Sequence, residues 1–206
     1  MKNKRMMTIM VLALIAIFAG GATLAYFTDT SDTVKNTFTM GNVEIKLDEA
    51  KLAVNTTVAG TTWTALSDRV TENTYTNLYP GAVLPKDPTV YNLGTNPAYI
   101  RVKITLAPYA EFTDLLQDPS ALWNKTLGTG WVLTSSANGV YTYEYANIVT
   151  KGETVPPVFT DITIPADFSN TAMTSIDGFT ISVVAEAVQA QGFDNVTAAF
   201  EAFVAE

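Results

Sequence analysis

Two runs of strict apolar alternation constrain the fold of this chain more than any other feature. In residues 99–106, Ile100, Val102, Ile104 and Leu106 share one side, and Tyr99, Arg101, Lys103 and Thr105 share the other. In residues 179–188, Phe179, Ile181, Val183, Ala185 and Ala187 alternate with Thr180, Ser182, Val184, Glu186 and Val188. Successive side chains of a strand point to opposite faces, so a period of two marks strands with one face in a core and one toward water. That pattern belongs to antiparallel sheets, because parallel strands covered on both faces read as continuous apolar runs.

Turn chemistry divides the rest. Leu78-Tyr79-Pro80-Gly81 places a residue of fixed φ before one that tolerates positive φ, and a strand pair is expected after it. Residues 89–93, the turn Gly94-Thr95-Asn96-Pro97 and residues 99–106 read as strand, turn, strand, closed by Pro108. Asn138-Gly139, between the strand-like residues 130–134 and 140–145, predicts a type I′ hairpin. A further strand is expected over 158–164, and residues 52–76, rich in Thr, Asn, Ser and Ala, read as a partly irregular β-rich insertion. Phe112, Leu115 and Leu116 predict a short helix over 111–117. After Gly192, Asp194 or Asn195 can cap a second helix carrying Val196, Phe200, Phe203 and Val204. The sum is an all-β, jelly-roll-like antiparallel β-sandwich with one or two short helices, preceded by an N-terminal signal helix.

That leader is read from Lys2, Lys4 and Arg5 followed by an apolar run over 6–21 that only Thr8 interrupts. Small residues at Thr23 and Ala25 suit the −3 and −1 positions of a cleavage site, which places the cut between Ala25 and Tyr26. The alternative is an uncleaved span, since residues 6–25 are about long enough to cross a bilayer. Beyond the cut, Phe27, Val34, Phe38 and Met40 are followed by Val43, Ile45 and Leu47, an alternation whose phase slips at Gly41-Asn42. A strand, a hinge or bulge, and a second strand are expected there. Three segments follow: 1–25 as signal peptide, 26–42 as an N-terminal strand segment with its hinge, and 43–206 as the folded domain.

Composition narrows the chemistry. With three of the twelve basic residues in the leader, nine remain against twenty acidic ones, a net charge of −11 that repels nucleic acid and anionic lipid. The only membrane association expected is through the leader before cleavage. Cysteine and histidine are absent, which removes disulfides, thiol nucleophiles, the commonest general base and the commonest zinc ligand. Asp29 with Asp32, and Asp114 with Asp118, lack the dense acidic loop of a calcium site. There is no His-Glu-x-x-His, Asp-Thr-Gly or Asp-Ser-Gly, so no enzyme, metal or cofactor is expected. Tyr141, Tyr143 and Tyr145 fall on one strand face and read as core packing or as a sugar-stacking ladder; Trp63, Trp123 and Trp131 read as packing residues.

Four stretches in order resemble the TasA and camelysin family of exported proteins: Thr23-Leu24-Ala25-Tyr26-Phe27-Thr28-Asp29, Phe38-Thr39-Met40-Gly41-Asn42-Val43-Glu44-Ile45, Leu78-Tyr79-Pro80-Gly81, and the late strand over 181–192. The middle of the chain, 106–176, carries no such likeness. The resemblance implies a jelly-roll domain, processed by a SipW-type signal peptidase and exported to the cell surface or biofilm matrix. It further implies a fibre subunit whose partners are copies of itself or related matrix subunits, each donating its N-terminal β-strand to the next. Carried onto this sequence, the donor positions are Tyr26, Phe27, Val34, Phe38 and Met40, with Gly41 and Asn42 as the hinge. The metallopeptidase activity ascribed to the camelysin branch finds no ligand set here. The alternative expectation is a monomeric surface adhesin that holds polysaccharide on the tyrosine face.

The physics of the segment fits strand donation. Residues 26–40 contain no proline and five threonines, so the backbone can pair along its length. Residues 29–35 are polar apart from Val34 and suit a solvated link between two apolar ends.

Overall fold

The computed structural model describes residues 40–58 and 60–204. The expected signal peptide, the Ala25-Tyr26 junction and the donor positions Tyr26, Phe27, Val34 and Phe38 lie outside the described residues.

The fold is an all-β antiparallel sandwich with short helices. Nine strands occur among the described residues: β1 (Ile45–Thr57), β2 (Gly60–Val70), β3 (Val83–Pro85), β4 (Thr89–Asn92), β5 (Ala98–Ala107), β6 (Trp131–Ala137), β7 (Val140–Tyr145), β8 (Asp161–Thr163) and β9 (Thr180–Gln189). They form sheets ordered β2-β1-β4, β3-β8 and β6-β7-β5-β9. Three helices, α1 (Tyr109–Leu115), α2 (Asn170–Ser175) and α3 (Val196–Val204), decorate them. The inward residues of all three sheets meet in one apolar cluster.

The two alternating runs become β5 and β9, which pair over ten residues from Ala98↔Gln189 to Ala107↔Thr180. In β5 the predicted inner residues Ile100, Val102, Ile104 and Leu106 are fully buried. The outer side is less open than expected. Helix α3, capped by Asn195 Oδ1 accepting from the Ala198 N–H at 2.9 Å, lays Phe200 against Tyr99, and the Arg101 guanidinium sits 4.2 Å from the Phe200 ring centroid. The Asn138-Gly139 hairpin forms as predicted between β6 and β7, with φ of 51° and 80°, the pair of positive values a type I′ turn requires. The Leu78–Gly81 turn also forms, closed by the Ala82 N–H donating to the Tyr79 carbonyl at 3.0 Å.

Pairing after that turn differs from expectation. β3 pairs with β8 and β4 pairs with β1, so neither is the other's neighbour, and the Gly94–Pro97 turn carries the chain from one sheet to another. The expected strand over 158–164 shrinks to β8, because Val158 and Phe159 enter the core on irregular backbone fixed by the Gly128 N–H donating to the Val158 carbonyl. The β-rich, partly irregular reading of residues 52–76 holds: β1 runs on to Thr57 and returns as β2, a long hairpin mostly exposed on both faces, and residues 71–77 follow without regular structure. An arm that is wet on both sides has no apolar alternation to read, although its threonines and Trp63 are good β-formers.

The tyrosines resolve as packing. Tyr141 and Tyr143 are buried, the Trp123 indole N–H donates to the Tyr143 hydroxyl at 3.0 Å, and that hydroxyl donates to Asn124 Oδ1 at 3.0 Å. Trp63, Trp123 and Trp131 are buried as well. No sugar-stacking ladder is presented on this face.

Ile104 sits at the centre of β5, fully buried, with no polar partner to lose. Ile104→Ala is expected to destabilise the fold by about 2–5 kcal/mol, the range for emptying a rigid core site. Urea unfolding followed by tryptophan fluorescence checks this, with a lower midpoint and an unchanged slope.

Candidate functional site

The feature that stands out chemically is an incomplete seam beside β9. Among the described residues, β9 is an edge strand whose only ladder partner is β5. Its inward residues Ile181, Val183, Ala185 and Ala187 remain half-buried, although they lie opposite Leu106, Ile104, Val102 and Ile100, which are fully buried. The core is therefore closed over β5 and open over β9. Across from β9 lies β1, whose residues Ile45–Asp48 pair with β4 on one edge, while pairing with β2 on the other begins only at Glu49↔Val70.

Between them runs a groove of about 670 Å³. Its apolar lining comes from Leu47, Leu78, Leu84, Ile162, Phe179, Ile181 and Val183, and its polar lining includes Asp48, Glu49, Asn73 and Lys86. The size matches ligand-binding clefts. The lining differs from theirs in offering backbone along a strand edge rather than convergent reactive side chains.

The polar end is a dense ionic cluster that fixes the base of the β1–β2 arm. Arg69 on β2 donates from Nε to Asp48 Oδ1 at 2.8 Å and from Nη2 to the Asp48 carbonyl at 3.0 Å, and its Nη1 reaches Asp87 Oδ2. The other oxygen of Asp87 accepts from the Ala50 N–H at 2.6 Å. Lys46 Nζ lies 2.6 Å from Asp48 Oδ2, and Lys86 pairs with Glu49. Asn73 donates to Glu49 Oε1 at 3.0 Å and to the Ala50 carbonyl at 2.8 Å, while its own oxygen accepts from the Leu52 N–H at 3.0 Å. These bonds satisfy β1 where its register with β2 shifts between Ala50 and Leu52. Burial pushes the Asp48 carboxyl up, and hydrogen bonds from Lys46 and Arg69 more than reverse this, holding it below its usual value. The Tyr75 hydroxyl, which donates to the Pro85 carbonyl at 2.7 Å, is pushed up by burial and then by the charges of Glu49, Asp87 and Asp161.

The expected hinge residues are placed away from the groove's ionic end. Asn42 is tied to the Gly94–Pro97 turn: its N–H donates to Thr95 Oγ1 at 2.9 Å, its carbonyl accepts from the Thr95 and Asn96 N–H groups, and its Oδ1 accepts from the Thr95 hydroxyl. Glu44 continues the contact by accepting from the Leu93 and Gly94 N–H groups. Gly41 packs so closely on Asn96 that a Cβ would displace that side chain. Met40, just before, is 96% exposed. Regular strand begins two residues later than expected, at Ile45.

Among the described residues no group of three or more Asp and Glu side chains converges as a metal site, and no helix is long and apolar enough to cross a membrane. Sequence reading missed the seam, since the openness of β9 is set by which strands fail to pair with it. It also missed the ionic cluster; consecutive Asp48 and Glu49 inside an alternating run were its only trace. No family model, no curated protein and no solved structure matches this chain.

The Asp48 carboxyl is held below its ordinary value of 3.8 in the folded protein, so it stabilises the fold above that pH. Its contribution is lost as pH falls below 3.8 through the depressed folded value. The stability gap between the wild type and Asp48→Asn, measured by urea unfolding, is expected to be widest at neutral pH and to narrow on acidification. Arg69→Met leaves Asp48 and Asp87 facing each other across the same contact. A loss of about 3 kcal/mol is expected, the low end for breaking a buried pair because Arg69 keeps a quarter of its side chain exposed.

Proposed function

We infer that this protein is an exported structural subunit of a cell-surface or biofilm-matrix fibre, and that each copy polymerises by donating its N-terminal strand to the next. The observation that carries this reading is β9, a ten-residue edge strand whose inward side chains stay half-exposed beside an apolar groove. A long unpaired edge is a liability that soluble proteins blunt with charge, proline or a covering element. Here the groove-side stretch 180–183 has no proline and no charge. Addition of an extended strand supplies the missing ladder bonds and covers the half-open residues at once, the logic of β-augmentation.

The donor is the segment 26–40, whose apolar positions Tyr26, Phe27, Val34, Phe38 and Met40 can face a groove while five threonines support extended backbone. Asn42 marks the end of the home domain, because from there on the chain is bonded to the Gly94–Pro97 turn. Cleavage between Ala25 and Tyr26 acts as the switch, since a strand held at the bilayer is not free to reach a neighbour. The absence of histidine and cysteine from the whole chain agrees with a structural rather than a catalytic role. The family resemblance of the leader and first strand supports the same reading.

Negative-stain microscopy of the processed protein tests it. Filaments are expected from the wild type and none from a form lacking residues 26–40 that still folds. A processed wild type that stays monomeric, or a non-cleavable form that gives the same filaments, overturns the reading.

A further inference from the structure

The groove has a second wall with unpaired backbone. Residues 71–77, between β2 and the Leu78–Gly81 turn, run without regular structure, yet Asn73 and Tyr75 turn inward while Glu72, Thr74 and Thr76 are exposed, a strand-like alternation. Residues 71–75 line the groove together with the 180–183 stretch of β9. Among the described residues, no backbone N–H or C=O of 71–77 is hydrogen-bonded to protein. The strap is held by side chains instead: Asn73 on Glu49, Ala50 and Leu52, and the Tyr75 hydroxyl on the Pro85 carbonyl.

An extended chain whose backbone is left free while its side chains anchor it is a strand without a partner. Buried backbone groups must find hydrogen bonds, so anything that covers the strap without pairing with it carries a desolvation cost. A strand laid in the groove against β9 would satisfy one of its own edges and leave the other facing the strap.

We propose that the strap 71–76 is the second pairing edge of the groove, so that the incoming N-terminal strand of another copy is hydrogen-bonded on both sides, to β9 and to the strap. This rests on the fibre reading and adds to it a second contact surface. The occupant is an extended peptide because both walls offer backbone, and a second copy because residues 26–40 supply a proline-free, threonine-rich sequence of suitable length. The strap becomes ordered strand only in the assembly, with Asn73 and Tyr75 as its fixed pegs.

Hydrogen exchange read by mass spectrometry, comparing the processed monomer with its fibres, separates the possibilities. Protection gained at both 180–183 and 71–76 is the expected result. Protection at 180–183 alone overturns the strap proposal and leaves the fibre reading standing; protection at neither, or no fibres, overturns both. Proline substitution gives an independent check, since Thr71→Pro and Thr74→Pro remove no hydrogen bond made among the described residues but each deletes a backbone N–H. Successive amides of an extended chain point to opposite edges, so one of the two carries its donor into the groove. Both variants are expected to keep the wild-type circular dichroism spectrum, and at least one is expected to slow or abolish fibre growth. Growth of both at the wild-type rate overturns the proposal.

Discussion

The guanidinium of Arg69 is the contact on which the rest of the described structure depends. From β2 it reaches the start of the β1–β2 pairing and the link between β3 and β4 together, through Asp48, its carbonyl and Asp87. A planar fork that presents several donors in fixed directions can do this; a lysine could not. The contact sets where the arm leaves the sandwich. It therefore also sets where β1 stops pairing toward β2, which is what leaves the seam beside β9 open. Charge density at this point has a second effect. Asp48, Glu49 and Lys86 are almost wholly buried, so the polar end of the groove is held by paired charges, while its apolar end includes the half-buried Leu47, Phe179, Ile181 and Val183.

The pair of strands β5 and β9 shows how one ladder can have two characters. Opposite residues share register over ten positions, yet one strand lies fully in the core and the other at its rim. Burial follows the number of neighbours on each side: among the described residues β5 has β7 on its far edge and β9 has none. An apolar side chain that is half-covered contributes only part of its transfer free energy. Half-covered apolar residues thus follow one another along β9, while other exposed apolar side chains, Val54, Leu93, Val132 and Ile148 among them, lie elsewhere on the surface.

Much of this was legible in the sequence, and the divisions are physical. Ile100 to Leu106 and Ile181 to Ala187 announced their strands because one face is apolar and the other is not. Asn138-Gly139 announced its hairpin because few residues accept two successive positive φ values. The arm of β1 and β2 was legible as β-rich through its threonines, but its extent and pairing were not, because both of its faces meet water. The pairing of β3 with β8 and β4 with β1 was illegible because three- and four-residue strands carry too few side chains to specify a distant partner. The seam could not be read at all, since an unpaired edge is a property of what is missing from the neighbourhood of Thr180 to Val183.

The clamp on Asn42 has a mechanical meaning. Among the described residues, a pull applied at Met40 meets its first hydrogen bonds to the sandwich at Asn42, where backbone and side chain together bond Thr95 and Asn96. Those bonds take the load before the ladder of β1 on β4 is reached. They also direct it into the turn that crosses from one sheet to the other, so the force enters both sheets at their junction and is not peeled off a single strand end. The Asn42 clamp is in this sense a strain relief, like the collar where a cable enters its housing.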